Sequence, residues 1–180
     1  MSKRKYIILF STIGICTVLC VVLFINIFRK PIISYSPDNL YKITYNKSER
    51  KTTGVNLETG VKTYTIISDV PVTPTFIWSP NSQYYAEVFE YQDGKMHNII
   101  YDVKNGMGIG YNTKPVIEEL SKTIDITDDN INEYVTMVKF LDNQYLLMEF
   151  KYTPTSGQSI SGWYIYDFIG WTVRDVHITK

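Results

Sequence analysis

The chain has 180 residues and a mass of 20.9 kDa, enough for one ordinary domain but too little for two. Residues 1–30 carry five basic residues and no acid, so residues 31–180 carry a formal net charge of −5. Because contact with nucleic-acid phosphates needs a positive field, this distribution excludes a basic nucleic-acid-binding domain as the first interpretation.

Residues 6–28 form an apolar run without a charged side chain. As a helix, the run would be about 35 Å long, enough to cross the hydrocarbon layer of a membrane. It is longer than the apolar part of a secretory signal peptide, and no A-x-A cleavage site follows it. The sequence therefore predicts an uncleaved signal-anchor, with residues 1–5 as a cytoplasmic tail and residues 31–180 outside the cytoplasm. The basic residues that flank the span are Lys3, Arg4, Lys5, Arg29 and Lys30.

The composition of residues 31–180 is typical of β structure, with 14 tyrosines and a single alanine. The only two cysteines, Cys16 and Cys20, lie in the apolar run, so no disulfide can support the outer domain. Lysines outnumber arginines by 14 to 4, a bias common in proteins of AT-rich bacterial genomes.

Three repeated units follow in the outer domain. Each opens with a turn signal, continues as two β-like runs joined by a hairpin loop, and reaches an Asx residue near its end. The units span about residues 33–70, 75–111 and 135–178, and their opening signals are Ser36-Pro37-Asp38, Ser79-Pro80-Asn81 and Leu141-Asp142-Asn143. Proline presets φ in the first two openings, whereas the third has Phe140-Leu141 in place of Ser-Pro. In all three the Asx side chain can bond back to the backbone, so each opening predicts a tight turn. The later Asx-x-x-x-Gly segments predict a second turn in which glycine supplies a positive φ.

The units resemble the blades of TolB-like and WD-type β-propellers, and the second unit fits best. The resemblance implies an all-β fold, an antiparallel blade-like meander of about three units with one short helix. Three blades are too few to close a ring. Four interpretations of the units remain: an open three-blade array, a single twisted meander, one part of an oligomeric ring, and a chance convergence of hairpin signals.

Residues 113–134 are predicted to be a helical insertion between the second and third units. A short helix is expected over Lys114–Lys122, where Pro115 suits the first turn, and it would cover a sheet edge or an open end of the core. The acidic stretch 125–133 has oxygen ligands suited to calcium but lacks the order of an EF-hand loop. We interpret it as a solvated turn.

The sequence predicts no cofactor, no metal site and no catalytic residue. His97 and His177 are too few to hold zinc without cysteines, and both are expected at the surface. Glu87 and Glu149 lie in apolar strand-like runs, where alternation can place them on the solvent face.

The predicted contact surface combines aromatic side chains with a long polar loop, residues 153–162. Its residues are Thr155, Ser156, Gly157, Gln158, Trp163 and Trp78. The resulting functional prediction is a non-catalytic platform at the cell envelope that binds a protein partner or associates with itself. Binding of cell-wall glycan through surface aromatics is the alternative, and a hydrolase with an unrecognised site is the second alternative.

Overall fold

The computed structural model describes residues 14–20, 30–68, 72–110, 114–122, 135–153 and 159–179. Within these ranges twelve strands form three four-stranded sheets, and every paired neighbour is antiparallel and adjacent in the chain. Sheet 1 contains β1 (Ile32–Tyr35), β2 (Tyr41–Asn46), β3 (Lys51–Asn56) and β4 (Lys62–Ile67). Sheet 2 contains β5 (Thr75–Trp78), β6 (Tyr84–Glu90), β7 (Met96–Asp102) and β8 (Gly108–Ile109). Sheet 3 contains β9 (Val135–Phe140), β10 (Tyr145–Tyr152), β11 (Ile160–Asp167) and β12 (Thr172–Thr179). The predicted all-β fold is confirmed, and a single twisted meander is wrong because the strands divide into three separate sheets.

Helical structure is limited in the described ranges. The predicted insertion forms a helix over Lys114–Leu120, which contacts β12 and packs Ile117 against the main core. The acidic stretch 125–133 lies outside the described residues.

Of the predicted membrane span, only residues 14–20 are described, and they are helical. No helix in the described part of the chain has both the length and the apolar character needed to cross a membrane. The rest of the span lies outside the described residues, as do Lys3, Arg4, Lys5 and Arg29, while Lys30 is exposed. The anchor therefore stays a prediction.

The opening signals form the expected turns between the first and second strands of each sheet. The carboxylate or amide oxygen Oδ1 of the Asx residue accepts a hydrogen bond from the backbone N–H two residues later in all three. The acceptors are Asp38, Asn81 and Asp142, at distances of 2.9, 3.1 and 2.7 Å from the donor nitrogens. Local side-chain bonding of this kind fixes where each hairpin reverses.

These three turns lie in a row at one end of the array. The N–H of Asp38 donates to Ser82 Oγ in the next turn at 3.1 Å, and the N–H of Asn81 donates to Asn143 Oδ1 in the third at 2.9 Å. The turns between the third and fourth strands lie beside them, since each sheet has one backbone hydrogen bond joining its two turns. We call this end of the molecule the turn end. The loops β2–β3, β6–β7 and β10–β11 lie at the opposite end.

Two hydrophobic clusters hold the sheets together. The larger one fills the space between sheets 2 and 3, and the smaller, tyrosine-rich one lies between sheets 1 and 2. Asn98 of β7 adds a polar bridge to β9, because its amide donates to the carbonyl oxygen of Val135 at 2.7 Å and accepts from the N–H of Met137 at 2.9 Å. Sheet 2 is thus covered on both faces.

Candidate functional site

Exposed apolar side chains are concentrated at the turn end. Ten large hydrophobic side chains of the described sheets and turns are exposed, and seven of them belong to turns at this end. The seven are Leu40, Leu57, Val61, Met107, Leu141, Ile169 and Trp171. Apolar side chains gathered on one surface are the usual mark of an interaction site.

Trp171 is the most unusual of these residues. It is the fourth residue after Asp167, the position that Gly60 takes after Asn56 and Gly106 takes after Asp102. All three residues have a left-handed backbone, with φ of 58° for Trp171, 68° for Gly60 and 66° for Gly106. A residue with a side chain is disfavoured there by about 1–2 kcal/mol, so the third unit carries strain that the other two avoid. The Trp171 side chain remains 46% exposed.

The turn of Trp171 is fixed by the carboxylate of Asp167. Oδ1 of Asp167 accepts from the N–H groups of Ile169 at 3.0 Å and Gly170 at 2.6 Å, and Oδ2 accepts from the side chain of Gln144 at 2.8 Å. These bonds hold the β11–β12 turn against the β9–β10 turn. The exposed side chains of Ile169 and Trp171 are therefore presented on a fixed backbone.

A cavity of about 470 Å³ opens at the turn end between sheets 1 and 2. Its wall includes the apolar side chains of Leu40 and Val103 and the charged side chains of Asp38 and Lys104. Partial burial raises the pKa of the Asp38 carboxyl, but hydrogen bonds from Ser36, Leu40 and Ser82 outweigh it and keep the pKa below its usual value. The turn end thus combines apolar contact area with a carboxylate that stays ionised.

The two tryptophans predicted for the contact surface lie in different places. Trp78 is half-buried between sheets 1 and 2, where its Nε1–H donates to Ser34 Oγ at 2.7 Å and its ring lies 5.5 Å from that of Tyr85. Trp163 lies on sheet 3 and stacks on His177 with ring centroids 4.0 Å apart. The structure does not bring the two indoles together: Trp78 is the last residue of β5, directly before a turn of the turn end, whereas Trp163 lies in β11 of sheet 3.

The predicted contact loop begins where β10 ends, at Tyr152, on the opposite end of the array from Trp171. Thr153 and Ser159 have hydroxyl oxygens 2.9 Å apart, and the loop is shorter than predicted because residues 160–162 belong to β11. Thr155, Ser156, Gly157 and Gln158 lie outside the described residues. The loop therefore stays a prediction.

The two candidate carboxylates have opposite environments. Glu149 is exposed, as alternation predicts, but the solvent-facing interpretation of Glu87 is wrong. Glu87 is 1% exposed because β6 lies between sheets 1 and 3, which bury both faces of the strand. Burial raises the pKa of Glu87 to about 7, and the hydroxyl of Thr52 lowers it only in part. The raised pKa of Glu87 thus accompanies its burial between sheets 1 and 2.

The described residues contain no group of three or more His, Cys, Asp or Glu side chains that could hold a metal ion. His97 and His177 are both exposed, as predicted.

Comparison with known proteins gives neighbours in fold only. No known protein family matches the sequence, and no curated protein is similar to it. Solved structures that resemble the chain include β-propeller and WD40-repeat proteins. An uncharacterised protein of Listeria monocytogenes EGD-e is 14% identical, with a TM-score of 0.49 over 82% of this chain and 40% of the other. TolB from Acinetobacter baumannii is 13% identical, with a TM-score of 0.46 over 81% and 32%.

The β-propeller domain of the Trilobed protease from Pyrococcus furiosus is 15% identical, with a TM-score of 0.43 over 83% of this chain and 42% of the other. The chain thus spans less than half the length of each of these proteins.

Proposed function

We propose that this chain is a membrane-anchored, extracytoplasmic platform without catalytic activity, which binds a protein partner through its turn end. The observation that supports the proposal is the concentration of exposed apolar side chains on five of the six turns, with Trp171 held in a strained left-handed conformation. Strain at a surface residue is retained where the side chain has a use, and tryptophan is among the residues most enriched at the energetic centres of protein interfaces.

The direction of the chain fits this proposal. β1 begins at Ile32 at the opposite end and runs toward the turn end. An anchor over residues 6–28 would therefore enter the domain on the side away from Trp171. The turn end would face away from the membrane, where a partner can reach it, whereas the end of the array at which β10 ends would face the membrane.

We further infer that the three sheets are blade-like units related to TolB-like propellers. The same turn bonds recur in each sheet, and the same backbone bond joins its two turns, which supports a common origin of the units. Such repeats commonly form rigid binding surfaces, and this function is fold analogy alone.

The proposal is tested by crosslinking the full-length chain in cells and identifying the captured proteins by mass spectrometry. The variant Trp171→Asn keeps a residue that tolerates the left-handed conformation but removes the indole. Loss of an interface tryptophan should weaken capture roughly 30-fold. The matched control Ile67→Asn removes an exposed apolar side chain from the end of β4, at the opposite end of sheet 1 from the turns, and should leave capture unchanged.

Equal capture by both variants and the parent chain would contradict the turn-end surface. Capture of the chain by itself alone would replace the protein partner by self-association. Exposed Trp171 also suits the stacking of sugars, so co-sedimentation with insoluble cell wall, lost in Trp171→Asn, would favour the glycan-binding alternative.

A further inference from the structure

Four polar atoms are buried together between sheets 1 and 2 without a hydrogen-bond partner among the described residues. They are Glu87 Oε1, Thr52 Oγ1, Tyr64 OH and Tyr85 OH. Buried polar groups are almost always paired, and an unpaired one costs free energy because water no longer solvates it. Four of the six such side-chain atoms among the described residues belong to this layer.

The four atoms come from both sheets. Tyr85 and Glu87 are two residues apart on β6 and so share the face that packs on sheet 1. The ring of Tyr64 from β4 stacks on that of Tyr85, with centroids 6.3 Å apart and an interplanar angle of 8°. Thr52 of β3 is 0% exposed and lies near Glu87, although neither Thr52 Oγ1 nor Glu87 Oε1 makes a hydrogen bond of ordinary geometry.

Neutral groups surround the Glu87 carboxyl. The titratable or hydroxyl-bearing side chains that face it from neighbouring strands are Tyr45 of β2, Thr52 of β3, Tyr64 of β4, Tyr85 of β6 and Tyr101 of β7. β5 contributes the rings of Phe76 and Trp78 against Tyr85. Arg50 acts on Tyr45 and Asp102 acts on Tyr64, but among the described residues no charged side chain affects Glu87 itself.

Burial raises the pKa of each of the four tyrosines above its usual value, so all four hydroxyls stay protonated near neutral pH. A carboxylate in this layer would have no cation to balance it. A neutral carboxyl, by contrast, has one O–H donor for the unpaired hydroxyl oxygens and an acceptor for their protons.

We propose that Glu87, Thr52, Tyr64 and Tyr85 form a buried proton-binding site that joins sheet 1 to sheet 2. With the proton bound, the carboxyl is neutral and brings no charge into the layer. Release of the proton leaves a buried charge and weakens the contact between the two sheets. The site belongs to the fold and does not depend on what the turn end binds.

The sign of the pH dependence follows from the direction of the shift. The pKa of Glu87 rises from 4.5 in the unfolded chain to about 7 in the folded one, so the folded state binds more protons between these values. The contribution of this proton to the free energy of unfolding is then fully present below pH 4.5 and is lost as the pH rises through about 7. For one group, raising the pH from 5 to 8 should increase the unfolding equilibrium constant about 70-fold.

The test is urea unfolding of the full chain in a mild detergent between pH 5 and 8. The parent chain should show this increase, and Glu87→Gln should lose it. The matched control Glu149→Gln removes an exposed carboxyl from β10 and should keep the parent's pH dependence. Retention of that dependence in Glu87→Gln would overturn the proposal.

Two further measurements test the same site. If Glu87→Gln does not fold, the infrared band of a protonated carboxyl is followed in the parent chain. The band should be present at pH 6 and disappear with a midpoint near pH 7, and its absence at pH 6 would refute the site. At pH 8, replacing choline chloride by sodium or potassium chloride should leave stability unchanged. Recovery of stability by either cation would overturn the proton site in favour of a cation site.

Discussion

Gly54 allows the closest aromatic contact of sheet 1, and replacing it by alanine should break that contact. A Cβ at position 54 would lie 2.3 Å from Cζ and 2.4 Å from Cε1 of Tyr64, more than 1 Å inside ordinary contact distance. The ring has little room to move away, because its other side packs closely on Gly106. A Cβ built on Gly106 would lie 2.5 Å from Cγ of Tyr64. Tyr64 is thus clamped between a glycine of β3 and a glycine of the β7–β8 turn.

The expected cost of Gly54→Ala follows from this clamp. Forcing one extra methyl group into a packed site costs about 1–3 kcal/mol, and complete expulsion of an aromatic ring costs about 3–5 kcal/mol. Because Tyr64 has little room to relax, we expect a loss of about 3 kcal/mol in the free energy of unfolding, measured by urea denaturation.

A double-mutant cycle separates the clash from any general intolerance of strand β3. In a Tyr64→Ser background the ring is absent, and Gly54→Ala should stabilise the chain by roughly 0.5–1 kcal/mol through reduced backbone entropy of the unfolded state. The coupling energy between the two positions should therefore be about 3.5–4 kcal/mol. Additive effects of the two substitutions would refute the clamp.

Two smaller effects should be measurable by the same urea denaturation. Asp167→Ala removes the acceptor for Gln144 and for the N–H of Gly170 and should lower the free energy of unfolding by about 2 kcal/mol. Asp167→Asn keeps one acceptor oxygen and should lower it less, so equal losses would contradict the role of these bonds. Trp78→Phe removes the hydrogen bond to Ser34 Oγ and should lower the free energy of unfolding by about 1 kcal/mol. If Trp78→Phe lowers it by the same amount in a Ser34→Ala background, the bond contributes nothing to stability.

The strands and first turns could be predicted because their causes are local. β-branched and aromatic residues favour strands, and a proline followed by Asp38 or Asn81 carries its own turn-forming hydrogen bond. The short helix could be predicted for the same reason, although it ends at Leu120 and not at Lys122.

The environment of Glu87 could not be predicted, because alternation separates a buried face from a solvent face only when one face is solvated. β6 is covered by sheet 1 on one side and sheet 3 on the other, and all residues from Tyr85 to Phe89 are buried. Which sheet is covered on both faces depends on how whole sheets pack against one another, and no local pattern contains that information.

Trp171 was missed for another reason. The second turn of each unit was expected to place glycine at the residue with positive φ, and Gly60 and Gly106 fulfil this. In the third unit the nearest glycine, Gly170, is one residue too early, and the left-handed position falls on Trp171. Counting four residues from Asp167 was the signal that could have found it.

The unequal clusters between the sheets have a consequence for local opening. The cluster between sheets 2 and 3 is large, and Asn98 adds two hydrogen bonds to β9, whereas sheet 1 rests on the smaller tyrosine layer. Sheet 1 should therefore detach at a lower free energy than the other two sheets, which would persist as one cooperative unit. In amide hydrogen exchange, β2 and β3 would lose protection early, while β6, β10 and β11 would exchange only with global unfolding.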